Sequence, residues 1–327
     1  MRVLLTGANG FIGSHILDRL LEQGCDVAVL LRKTSDTRFI KAVVPRVDVR
    51  YGSVESPESL ADAVRGAETV IHCAGKTKAL RKAEYYAVNA EGTRNVVAAC
   101  NASAGSVRHL IHISSLSVSG PGTVESPARE DAPPRPVSVY GKSKALGEEY
   151  VRRESRVPYT VLRPAAVYGP RDSDLFLAFK AARAGILPLV GGGRQYVSFV
   201  YAADVAAAAL KAMDRTAPGG EAYHVAHPAP WRQKDFLAKI AEVMGAKALP
   251  VFIPRLLLYP ACLAHGLWSR VTSRPSILSL QKVAELSAPG WVCSTERAAT
   301  ALGFVARTPL DEGIKLTFDW YRANGWL

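Results

Sequence analysis

The octet Thr6-Gly7-Ala8-Asn9-Gly10-Phe11-Ile12-Gly13 restricts the folding of this chain more than any other stretch. Arg2-Val3-Leu4-Leu5 before it is a short apolar run of the kind that forms a buried strand. Residues 14–21 after it place apolar side chains at helical spacing, and Gly24 stops that helix. A strand that passes through a glycine-rich turn into a helix N-terminus makes an anion site. The glycines let backbone approach a pyrophosphate, and the first-turn N–H groups and helix dipole favour its charge. The spacing is Gly-x-x-Gly-x-x-Gly, not the Gly-x-Gly-x-x-Gly of the usual dinucleotide fingerprint. With its flanking strand and helix, the turn reads as a dinucleotide site contacted by Gly7, Asn9, Gly10, Phe11, Ile12 and Gly13.

Strand and helix signals alternate through the first half. Further strands are expected at 26–31, 47–51, 69–73 and 108–114, with helical patterns at 57–65 and 84–100. This alternation predicts an α/β fold with a doubly wound parallel sheet, whose ligands bind at the carboxyl ends of the strands. No internal repeat, low-complexity tract or linker interrupts it.

The second strand runs out as Leu30-Leu31-Arg32-Lys33. A carboxylate near this point accepts hydrogen bonds from the ribose of NAD, whereas an arginine pairs with the 2′-phosphate of NADP. Leu31 fills the acidic position and Arg32 follows it, with Arg38 further on, so NADP(H) is expected in preference to NAD(H). The small residues of Cys73-Ala74-Gly75 leave room for the cofactor at the end of the fourth strand. Asn89 stands inside a helical pattern at a cost in propensity, which points to a polar role.

Composition narrows the setting. Hydrophobic residues make up 48% of the 327, enough for a sizeable core. The apolar stretch 251–268 is broken by Pro254, Arg255, Pro260 and His265 and fails as a membrane span. Met1 leads straight into the first strand, so no signal peptide is expected, and the five scattered cysteines suit a reducing cytoplasm and not a metal site. The net charge of +12 favours anionic partners, but the basic residues are dispersed and no nucleic-acid motif accompanies them.

The fifth strand ends His112-Ile113-Ser114-Ser115, and Tyr140-Gly141-Lys142-Ser143-Lys144 follows later. Tyr140 and Lys144 share a helix face at four-residue spacing. An ammonium so placed is expected to lower the phenol's pKa from about 10 toward neutrality. Such a phenol exchanges a proton with a carbonyl or alcohol oxygen, and Ser115 at a strand end is placed to hydrogen-bond the same oxygen. Tyr-x-x-x-Lys alone is a weak signal; with the glycine turn and the strand-end serine it is a strong one.

On these residues the chain resembles the extended short-chain dehydrogenase/reductases. The resemblance rests on Thr6–Gly13, on Asn89 with Gly92-Thr93, on Ser114-Ser115, on Tyr140–Lys144 and on Leu162-Arg163-Pro164 through Tyr168-Gly169-Pro170. It continues through Phe199-Val200-Tyr201 with Asp204-Val205 and Leu302-Gly303-Phe304 with Leu310–Gly313 and Trp320, nearly the whole chain. It implies a Rossmann domain over 1–165 and a smaller substrate-binding lobe over 166–327, with segments around 196–226 returning to the sheet. It further implies that Ser115, Tyr140 and Lys144 are catalytic, that Lys144 also binds the nicotinamide ribose, that Asn89 supports the proton relay, and that Pro164 lies near the nicotinamide. Ser53 occupies the place of an adenine-contacting Asp in many relatives; Ser53, Val54, Cys73, Ala74, Gly75 and Val167 complete the implied cofactor contacts.

Such enzymes act on ketones and alcohols or on nucleotide sugars. Relatives of the second kind usually carry an Asn where Ala166 stands and an Arg where Val197 stands, both for the diphosphate. Arg163-Pro164 and Ser114–Pro121 look more like the 3β-hydroxysteroid dehydrogenase and dihydroflavonol reductase branches. The expected reaction is ketone–alcohol interconversion on an apolar, steroid-, flavonoid- or acyl-like substrate. The alternatives are a nucleotide-sugar epimerase, dehydratase or reductase and, more remotely, a non-catalytic dinucleotide sensor. The apolar residues of 253–268 read first as an ordinary core helix, with membrane-surface contact the weaker alternative. A homodimer through 84–100 and 139–154 is what many relatives form, and the sequence leaves it open.

Overall fold

The computed structural model describes residues 1–214, 220–254, 256, 260, 262 and 280–327. In chain order the strands are β1 (Arg2–Thr6), β2 (Asp26–Leu31), β3 (Asp48–Tyr51), β4 (Thr69–His72), β5 (His109–Ile113) and β6 (Tyr159–Pro164). Shorter ones follow as β7 (Ala166–Tyr168), β8 (Ile186–Val190), β9 (Tyr196–Val197), β10 (Phe199–Tyr201), β11 (Glu221–Val225), β12 (Trp231–Arg232) and β13 (Leu249–Ile253). The helices used below are α1 (Phe11–Glu22), α2 (Pro57–Ala63), α3 (Lys82–Tyr86), α4 (Gly92–Ala102), α5 (Val139–Glu154), α6 (Phe176–Arg183), α7 (Ala202–Met213) and α8 (Gln233–Met244).

Strands β1 to β6 and β11 form one parallel sheet in the order β11-β6-β5-β4-β1-β2-β3. The near-continuous apolar sequences of β1 and β2 are explained by burial on both faces, whereas the edge strand β3 is only half-buried. Successive side chains of a strand point to opposite sides. Val3 and Leu5 of β1, with Val27, Val29 and Leu31 of β2, therefore pack under α1 and α7. Leu4, Ala28 and Leu30 pack on the other face with α2, α4 and Val151 of α5. The chain crosses from one side of the sheet to the other between β1 and β4, which opens a crevice at their carboxyl ends.

The rest of the described chain builds a smaller aromatic core. Phe179 of α6, Phe199 of β10 and Phe236 of α8 meet Tyr168 and Tyr321, the Phe199 and Phe236 rings stacking at 4.0 Å. Two pieces return to the main sheet: β11 pairs with β6, and α7, rich in alanine, lies against α1. Among the described residues no helix is long and apolar enough to cross a membrane. The apolar stretch 253–268 falls largely outside the described residues.

Candidate active site

The glycine turn is dictated by contact. Gly7 has φ +73°, and a Cβ there would sit 2.6 Å from Ala74 N; a Cβ on Gly13 would sit 2.0 Å from Gly7 O. No side chain caps α1 at Gly10, so its first-turn N–H groups are left for a ligand. This cradle fits the pyrophosphate of a dinucleotide. Two cavities join at Gly7, Gly10, Cys73 and Gly75. One, of about 260 Å³, is lined by Asn9, Arg32, Ala74, Ser53 and Val54. The other, of about 420 Å³, is lined by Phe11, Ile12, Gly13, Ser115, Tyr140, Lys144, Pro164 and Val167. A cavity of about 470 Å³ opens beside α5 among Lys142, Glu149 and Arg152, but neither the glycine turn nor Ser115 reaches it.

At the end of β2, Leu31 is buried and carries no carboxylate. Arg32 lies exposed along the wall of the first cavity beside Ser35, whose hydroxyl accepts from Arg32 N at 3.1 Å. Glu55 lines the same cavity. Arg38 lines neither cavity. Its largely exposed guanidinium pairs with Asp36, two residues away. Asn9 Nδ2 instead reaches the backbone oxygen of Asp36 at 3.0 Å, tying this loop to the glycine turn.

Ser115 caps the short turn Leu116–Val118 at the end of β5, its Oγ accepting from Ser117 N at 3.1 Å. Ser138 caps α5, its Oγ accepting from Gly141 N, so the helix presents Tyr140 in its first turn and Lys144 one turn on. The expected depression of the Tyr140 pKa does not appear. Enclosure of the phenol by protein pushes it up to about 12, opposed by a side-chain hydrogen bond with Ser115. Lys144 is buried, and its Nζ donates to Ile113 O at 2.7 Å. Burial lowers its ammonium to about 8, with Cys73 and Glu148 pulling the other way. The trio thus combines a protonated phenol, a hydroxyl partner and a cation that loses its charge easily.

Asn89 sits in a π-turn, Ala87–Glu91, between α3 and α4, which accounts for a polar residue inside a helical pattern. Its Oδ1 accepts from Lys76 N at 2.7 Å, and its Nδ2 donates to Lys76 O and to Ser143 Oγ, each at 3.0 Å. Sequence reasoning missed Thr77, Lys78, Asp172 and Asp174, which line the wider cavity from two loops. The Lys78 ammonium pairs with Asp174 across that cavity's lining. Desolvation raises the buried Asp172 carboxyl to about 7. No local signal marks these residues, because the loops after β4 and β7 meet only in the folded chain.

Residues 3–226 match the NAD dependent epimerase/dehydratase family. The chain belongs to that family. It is an NAD(P)-dependent oxidoreductase. It is 33% identical to the ceramide reductase of Caulobacter vibrioides, covering 99% of this chain and 96% of that one. It is 32% identical to the decarboxylating sterol-4-alpha-carboxylate 3-dehydrogenase of Bos taurus, over 77% of this chain and 72% of the other. The Bordetella bronchiseptica enzyme WbmG, solved in complex with NAD, superposes with a TM-score of 0.79 at 25% identity, covering 99% and 95% of the two chains.

Proposed function

We propose that this oxidoreductase reduces a ketone on a bulky apolar substrate to a secondary alcohol, with NADPH in preference to NADH. The observation that carries the reading is the meeting of Ser115, Tyr140 and Lys144 in the cavity that the uncapped glycine turn opens into. The dinucleotide supplies the hydride. The turn from Gly7 to Gly13 holds its pyrophosphate, Arg32 its 2′-phosphate, and Lys144 its nicotinamide ribose. Tyr140 Oη gives its proton to the carbonyl oxygen while Ser115 Oγ donates a hydrogen bond to the same atom. Lys144, one helix turn on, holds its positive charge in the same cavity. A phenol held at about 12 stays protonated at neutral pH, which suits it to donating in the reductive direction.

The substrate class is carried over from the named relatives, one a ceramide reductase and the other a sterol dehydrogenase. Phe11, Ile12, Ile113, Pro164 and Val167 give the cavity an apolar wall consistent with it. Tyr140→Phe tests the proposal on steroidal, aromatic and acyl ketones with NADPH. Turnover is expected to fall by about 10² or more, the scale of lost general acid catalysis, with NADPH affinity unchanged. Wild-type turnover in this variant would leave a dinucleotide-binding protein whose Tyr and Lys are incidental.

A further inference from the structure

His72, the last residue of β4, lies between two threonines, and its hydrogen bonds have fixed directions. Ala74 N donates to Thr6 Oγ1 at 3.1 Å, and that oxygen is 2.8 Å from His72 Nδ1. On the other side His72 Nε2 is 3.0 Å from Thr93 Oγ1, and Thr93 donates its single hydroxyl hydrogen to Asn89 O at 2.8 Å. Thr93 is left only to accept from His72, so Nε2 carries the ring hydrogen. Nδ1 then accepts the Thr6 hydrogen. The ring is fully buried and stacks on His112 at 5.2 Å. Burial, with the Lys144 charge, holds it down to about 3, so it stays neutral across the working pH range.

The two ends of this chain are the two halves of the site. Ala74 backs Gly7 of the glycine turn. Asn89 grips Lys76 and Ser143, and Ser143 Oγ donates to Tyr140 O at 2.7 Å. We propose that His72 is a positioning residue that keeps the cofactor turn and the Tyr140 side of the cleft in register through one directional chain of hydrogen bonds. It lines neither cavity of the cleft, and the proposal rests on the reading of Tyr140 as proton donor.

Three variants separate its two arms. His72→Phe puts a somewhat larger apolar ring in its place and loses both bonds. His72→Asn restores a polar atom near the Nδ1 position, facing Thr6, and His72→Gln one near the Nε2 position, facing Thr93. In His72→Phe the NADPH dissociation constant, read by fluorescence titration, is expected to rise about fivefold and kcat to fall about tenfold. His72→Gln is expected to recover kcat but not NADPH affinity, and His72→Asn the reverse. A Phe variant with wild-type constants would overturn the proposal. So would variants whose two constants move together in proportion to lost Tm, the mark of a merely structural role. If His72→Phe does not fold, the contrast rests on His72→Asn against His72→Gln and on Thr93→Val, which is expected to lower kcat with NADPH affinity unchanged; joint movement of the two constants again overturns it. Binding is read without turnover, so failure of Tyr140 as proton donor and failure of His72 as a joint give different results.

Discussion

Arg163 Nη2 lies 2.6 Å from Glu148 Oε2, and both side chains are almost sealed from solvent. Arg163 Nη1 also donates to Ser119 Oγ at 3.0 Å, and Ser114, next to Ser115, donates to the same carboxylate. The pair thus anchors the end of β5 to α5 and β6, the three elements from which Ser115, Tyr140, Lys144 and Pro164 project.

Removing one partner strands the other charge in the interior. Glu148→Ala or Arg163→Ala is expected to cost about 3–5 kcal/mol in urea unfolding, while Glu148→Leu combined with Arg163→Met costs far less. Equal losses in the single and double variants would show that packing, and not the unpaired charge, sets the penalty.

Lys144 is held charged where burial opposes its charge, lowered from 10.5 to about 8. Between those values the unfolded chain binds more protons than the folded one, so wild-type stability rises with pH through that window and carries the full penalty below pH 8. Lys144→Met is expected to raise stability at pH 7 by at most about 3 kcal/mol, reduced by what the bond to Ile113 O contributes, while abolishing turnover. The gain should shrink as the pH approaches 10. Thermal unfolding of both proteins across pH 6–10 measures it, and a gain that does not vary with pH would contradict the burial account.

Arg32→Ala should weaken NADPH far more than NADH. A charge-assisted contact to the 2′-phosphate is worth about 1.5–3 kcal/mol, roughly 10- to 150-fold in the dissociation constant. Titration of both cofactors into both proteins decides the point. Arg38→Ala should change both affinities far less than Arg32→Ala does, because Arg38 lines neither cavity.

Uridine and thymidine diphosphate sugars should not bind. Ala166 and Val197 stand where nucleotide-sugar enzymes usually carry donors to the diphosphate, and neither can supply a hydrogen bond from its side chain. Calorimetry that detected micromolar binding would place the epimerase or dehydratase reading ahead of the ketone reductase.

The sequence alone determined whatever short-range backbone demands control. A turn that tolerates only glycine at Gly7 and Gly13, strands buried on both faces, and a tyrosine and lysine four apart on one helix all leave local patterns. The pairing of Arg38 with Asp36, two residues away, is likewise local. Only the tertiary structure decided the electrostatics of the cleft. Whether Tyr140 is raised or lowered depends on how much protein encloses the phenol and on where Lys144 directs its ammonium, and Ile113 O receives it. The bond from Asn89 to Ser143, the pairing of Lys78 with Asp174, and the return of β11 beside β6 likewise join residues far apart in the chain. Desolvation and long-range pairing sum contributions from several elements at once, and no stretch of sequence carries that sum.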